Sequence, residues 1–161
     1  MIVRAAAQDD YPAIRACIDN AFGQPHEGAL VEALRASSDA VIELVAESDG
    51  RIAGVILLSK LTAPENSLAL APVAVAPDMQ GQGVGGALIR AAIKEAHESG
   101  AAAIFLLGEP GYYSRFSFSV EAAGRFETAY PKEYMMALEL TPGALAGLSG
   151  KIAYASPFNN L

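Results

Sequence analysis

The chain has one cysteine, two histidines, and no apolar run near the roughly 18–20 residues that a bilayer span requires. A single cysteine excludes an internal disulfide framework. His26 and His97 are far apart and neither sits in a ligand-spaced cluster, so no metal site is expected. The start, Met1-Ile2-Val3-Arg4, has no basic stretch followed by a long apolar segment, so no signal peptide is expected. These absences together predict a reducing, cytoplasmic setting with no membrane partner. Basic residues are also scarce: 11 Lys and Arg against 18 Asp and Glu leave a net charge of −7. A nucleic-acid binder needs a cationic surplus to displace counterions, so no nucleic-acid partner is expected.

What is present is enough for a core. The 161 residues are 52% hydrophobic and 18% charged, the balance of a globular chain. No repeat or linker interrupts them, and residues 1–161 read as a single domain. Ile2–Ala6 predicts a short strand, and Asp9 a cap for a helix with Pro12 in its first turn. Ile14, Cys17, Ile18 and Ala21 recur at helical spacing, which places Cys17 in packing. A second helix is expected over Glu27–Ala36. Val41–Ser48 and Arg51–Leu61, joined by Asp49-Gly50, predict a hairpin. Ser67–Ala76 reads as a strand whose internal Pro72 marks an edge, a bulge or a place where pairing stops. Gln82–Ser99 has a broad apolar arc, with Arg90, Lys94, His97 and Glu98 opposite and Gly100 placed to stop the helix. Ala102–Leu107 and Tyr134–Leu140 predict strands, and at most one more is expected near Lys151–Tyr154. The pattern is a mixed α/β layer.

Gln80-Gly81-Gln82-Gly83-Val84-Gly85-Gly86 lies between a strand and a helix. Glycines there permit unusual backbone angles and close ligand approach, and the helix start offers free N–H groups and a positive dipole end. The loop reads either as a tight turn or as a phosphate cradle. A P-loop would end in Gly-Lys-Ser/Thr, whereas here the glycines run into Ala87-Leu88. Gly81, Gly83 and Gly86 do satisfy the dinucleotide spacing. However, the preceding strands form a hairpin, and the next strand ends at Glu109, several residues too late for the ribose-binding acid. A nicotinamide dinucleotide is therefore the less favoured ligand.

With these residues the chain resembles the GNAT N-acetyltransferases, whose acetyl-CoA loop reads Q/R-x-x-G-x-G/A. Gln80-Gly81-Gln82-Gly83-Val84-Gly85 matches every fixed position, and Leu70–Pro77 looks like that family's fourth strand. Tyr112-Tyr113-Ser114-Arg115-Phe116-Ser117-Phe118 is similar to its Y-x-x-x-G-F segment, with Ser117 in place of glycine. The later segments also resemble a bacterial subgroup of predicted acetyltransferases. The resemblance implies a mixed, mostly antiparallel sheet of about seven strands, helices on both faces, and splayed fourth and fifth strands. It implies acetyl-CoA as cosubstrate, its pantetheine arm on the main chain of Val73, Ala74 and Val75. The pyrophosphate would lie on Gln80, Gly81, Gln82, Gly83, Val84, Gly85 and Gly86. Acetyl transfer to a small-molecule or peptide amine would follow, and a homodimer is left open.

The resemblance makes Tyr113 the general acid and Tyr112 a packing residue. A phenol of pKa near 10 is protonated at neutral pH and can give its proton to a departing thiolate. The base is not fixed. Many family members use a fourth-strand glutamate, but Ser67–Val75 holds no carboxylate. Water alone, Glu109, or His26 and Glu27 remain as alternatives. The same departures, Ser117 and the absent carboxylate, leave a non-catalytic acyl-CoA sensor as the second reading.

Overall fold

Asp49 and Gly50 both take positive φ, 50° and 76°, and join two long apolar strands through a two-residue turn. These are β2 (Ala40–Ser48) and β3 (Arg51–Ala63), preceded by β1 (Ile2–Ala5), α1 (Tyr11–Phe22) and α2 (His26–Ala36). After the hairpin come β4 (Ser67–Val75), α3 (Val84–Glu98), β5 (Ala103–Leu107), α4 (Pro110–Tyr113) and α5 (Val120–Ala123). The chain closes with β6 (Phe126–Glu127), β7 (Met135–Glu139), β8 (Gly150–Lys151) and β9 (Ala153–Tyr154). The computed structural model describes residues 1–160; Leu161, the last residue of the expected domain, lies outside the described residues.

A seven-stranded sheet runs in the order β1-β2-β3-β4-β5-β7, with β9 pairing the far end of β3. All pairings in it are antiparallel except β4 with β5. This is the mixed, mostly antiparallel sheet that the resemblance implies. The hairpin strands alternate between two cores. Leu44, Ile56 and Leu58 face α3, whereas Val45, Val55 and Leu57 face α1 and α2. A third cluster, around Phe105, Phe126 and Met135, lies under the C-terminal strands. Gly54 allows α3 to approach: a side-chain carbon there would stand 2.8 Å from Val84 Cγ1 and 2.9 Å from Leu88 Cδ1. No helix among the described residues is long and apolar enough to cross a membrane.

Three expectations need correction. Asp9 caps nothing: Gln8–Asp10 form a 3-10 turn, and Asp10 accepts from Ala7 N–H (2.8 Å) while pairing with Arg4. That pairing and hydrogen bond hold the Asp10 carboxyl down at about 2. Helix α3 begins at Val84 rather than Gln82, because Gly83 takes the left-handed conformation at φ 83° and keeps the preceding residues in the loop. The single late strand is two short ones, β8 and β9, separated by the buried Ile152.

Candidate active site

β4 is bonded on one side along most of its length and on the other for only its first third. On the β3 side, Ile56 faces Val73 and Leu58 faces Leu70, so Ala71 and Pro72 together oppose Leu57. That extra residue is a bulge at the proline, which has no N–H to give a ladder. On the β5 side, pairing covers Ser67, Leu68 and Ala69 and then stops, although β5 continues to Leu107. The two strands splay from Leu70 onward. Ala76 N–H donates to Ala53 O (2.8 Å), and successive residues of an antiparallel strand turn their peptide groups to opposite sides. Val73 and Val75 therefore aim their main-chain groups into the gap, while Ala74 aims its own at β3.

The loop after β4 is tied down by polar contacts. Asp78, in the 3-10 turn Pro77–Met79, takes a forked ion pair from Arg51 at 2.8 and 2.6 Å. The Arg51 guanidinium holds the Asp78 carboxyl below its ordinary value. Gln80 Nε2 donates to Val75 O (3.1 Å), and Gln82 Nε2 to Asp78 O (3.3 Å). Gly81 and Gly83 have φ of 77° and 83°, and a side-chain carbon on either would meet nothing within 4 Å. Both face open space. No side chain caps α3, whose first hydrogen bond runs from Ala87 N–H to Gly83 O (3.1 Å). The N–H groups of Val84, Gly85 and Gly86 precede that bond, at the positive end of the helix dipole.

These groups open into a cavity of about 380 Å³ lined by Val75, Gln80, Gly81 and Gly83–Gly86, together with Arg90, Tyr112 and Arg115. Val73, Ala74 and Gln82 are not in its lining. Val73 and Ala74 lie lower on the strand, and the Gln82 side chain turns back to Asp78. The sequence pattern placed Arg90 with the solvated side chains. It is exposed, yet it belongs to this cavity, four residues after Gly86 on the same helix face. The Gly86-to-Arg90 spacing was the available signal.

Tyr112, expected in packing, and Tyr113 have different surroundings. Tyr112 lines the cavity, its hydroxyl 3.4 Å from where a Gly85 side-chain carbon would stand. Tyr113 does not line it. Its half-buried ring packs against Gly108 and edge-on to Phe118, with centroids 6.2 Å apart. Burial, reinforced by Tyr112, pushes the Tyr113 hydroxyl above its ordinary pKa of 10. Of the candidate bases, exposed Glu109 immediately precedes α4, and its carbonyl accepts from Tyr113 N–H (3.1 Å). Glu27 accepts from Gln24 Nε2 (3.1 Å), and exposed His26 opens α2.

The sheet is thus opened along one strand edge, and that edge leads to a helix start with unpaired N–H groups. The Acetyltransferase (GNAT) family model matches residues 6–117, and the chain belongs to that family of enzymes. It is 30% identical to the N-acetyltransferase YhbS of Escherichia coli (strain K12) over 99% of both chains. It is 34% identical to YjhQ of the same strain over 93% of this chain and 90% of that protein. The crystal structure of E. coli YhbS in complex with CoA has a TM-score of 0.92 at 29% identity, covering 98% of this chain and 91% of that one. A Brucella melitensis GNAT acetyltransferase in complex with acetyl-CoA has a TM-score of 0.83 at 33% identity, covering 98% and 97%.

Proposed function

We propose that the chain, acting as one domain, transfers the acetyl group of acetyl-CoA to a primary amine of a small molecule or peptide. The observation that carries this is the free edge of β4, whose last residue, Val75, lines the glycine-loop cavity. The residues fit the cosubstrate. The edge at Val73–Val75 offers main-chain groups for the amides of a pantetheine arm, with Ala74 completing the pairing to β3. Gln80–Gly86 form a cradle that lacks side chains where a diphosphate would approach. Solved relatives holding CoA and acetyl-CoA support the same cosubstrate.

Acetyl-CoA supplies a thioester: the amine nitrogen bonds to the carbonyl carbon and gives up a proton to water, the C–S bond breaks, and the departing thiolate takes up a proton. A strand N–H at the opened edge polarises the carbonyl oxygen. The Tyr113 hydroxyl holds the proton for the thiolate, and its raised pKa keeps it protonated across the neutral range. An α-amine of pKa near 8 is neutral about a tenth of the time at pH 7, far more often than a lysine side chain near 10.4. The net charge of −7 suits a cationic acceptor.

A screen of amines, aminoacyl compounds and peptide N-termini with acetyl-CoA tests the activity, and acetylation of at least one is expected. CoA binding without turnover on any amine would favour the sensor reading. Gly83→Asp puts a carboxylate beside the cradle at a φ that disfavours a side chain, and CoA affinity should be lost. Retained affinity would remove the loop from the site.

A further inference from the structure

We propose that Arg90 and Arg115 form a second anion site, beside the glycine loop, that takes the 3′-phosphate of coenzyme A. This rests on the acetyl-CoA reading above. It assigns to these residues the selection of CoA thioesters over those lacking that phosphate.

Arg4, Arg15, Arg35 and Arg51 each pair with a carboxylate. Arg90 and Arg115 have no carboxylate partner among the described residues, although acidic side chains outnumber basic ones by 18 to 11. Both line the same cavity from different elements. Gly86 makes room for one of them. A side-chain carbon there would stand 3.1 Å from Arg90 Nη1, so the bare glycine lets the guanidinium fold back over the first turn of α3.

Aromatic rings orient both cations. Arg90 Cζ lies 5.0 Å from the Phe116 ring centroid, and Arg115 Cζ lies 4.6 Å from that of Tyr112. Those two rings are neighbours, 5.5 Å apart. Arg115 is fixed further by Nε donating to Tyr112 O (2.8 Å). Stacking restrains a guanidinium while leaving most of its N–H donors free for a planar, forked contact with phosphate oxygens.

Charge decides which phosphate they take. A diphosphate approaching the main chain is met by the loop N–H groups and the helix start. A phosphate monoester carries a further −1.5 to −2 or so at pH 7. Two guanidinium groups set beside the loop match that charge.

Isothermal titration of the full chain with CoA and with dephospho-CoA tests the assignment. The wild type should bind CoA about tenfold to hundredfold more tightly, the range of one or two charge-assisted contacts. Arg90→Gln and Arg115→Gln should each lower that ratio toward one by weakening CoA alone, and Arg→Lys should restore part of it. A wild-type ratio near one overturns the assignment. So does an equal loss for both ligands in the variants, which would move the arginines to the diphosphate. If the wild type binds neither ligand, the acetyl-CoA reading fails and this assignment fails with it.

Discussion

A side-chain carbon on Gly108 would lie 2.4 Å from Cε2 of Tyr113, so glycine and tyrosine share a space that only one side chain can fill. The backbone at Gly108 cannot move away freely, because its N–H donates to Tyr134 O (2.9 Å) and ties the end of β5 to the start of β7. A methyl group at 108 must therefore displace the Tyr113 ring.

Gly108→Ala is accordingly expected to lower turnover by about tenfold to hundredfold, the cost of displacing the proposed acid by roughly an ångström. CoA affinity should change little, since neither residue lines the glycine-loop cavity. Steady-state kinetics beside CoA titration read the two separately. Full turnover in Gly108→Ala would remove the acid role from Tyr113.

Gly54→Ala tests the packing beneath the loop. The added carbon would meet Val84 Cγ1 and Leu88 Cδ1 at 2.8 and 2.9 Å, with Ala74 O behind it at 3.1 Å. Neither the strand carbonyl nor the fully buried Leu88 can yield easily. Such overpacking costs about 1–3 kcal/mol, readable as a lower urea midpoint. Val84 begins α3, so weaker CoA binding is expected to accompany the loss. A neutral substitution would mean that α3 is not held against β3 at this point.

Much of this site was legible because its signals are local. Asp49-Gly50, the glycine run from Gly81 to Gly86, Pro72 and Gly100 are each dictated by backbone conformation, which one or a few residues decide. The seven-strand sheet followed once those markers matched a family. Arg90 was hidden, since a charged residue on the polar side of an amphipathic helix reads as solvated until Phe116 and Gly86 are brought beside it. The resemblance separated Tyr112 from Tyr113 by motif position alone and put Tyr112 in packing, whereas it lines the cavity. Which ring faces the cavity depends on how a four-residue helix meets Gly108, a contact that no periodicity encodes. The strand expected near Lys151–Tyr154 was not resolved into two for a related reason: two-residue strands have no measurable alternation.

Tyr154 predicts an alkaline weakness. Burial, with Tyr130 edge-on at 5.7 Å, pushes its hydroxyl from 10 up to about 12. The folded state thus keeps a proton that the unfolded chain releases above pH 10. Stability should be intact below pH 10 and drawn down as pH climbs from 10 to 12, by about 2 kcal/mol at most. Tyr113 shifts in the same direction, so the comparison needs a variant. Tyr154→Phe should flatten the fall in urea-derived stability over that window. An unchanged slope would place the Tyr154 hydroxyl in water.

Ser117 stands where the resemblance calls for glycine, and its φ of 73° shows that the backbone keeps the conformation a glycine would take. The turn carries Phe116 and Phe118 into the core at 7% and 2% exposure, so packing on both sides holds the serine in that strained position. A non-glycine residue there costs about 1–2 kcal/mol, and glycine gives back roughly 0.4–1 kcal/mol through the freer unfolded chain. Ser117→Gly is therefore expected to stabilise the protein by about 0.5–1 kcal/mol, with turnover unchanged because the chain path into Tyr113 is unchanged. Equilibrium unfolding and amine acetylation measured on the same preparation decide it. A gain in turnover would show that the serine distorts the segment bearing Tyr113, which is the outcome the sensor reading requires. Equal turnover would leave that reading with only the missing fourth-strand carboxylate, and water can supply that function for an α-amine that is already partly neutral at pH 7.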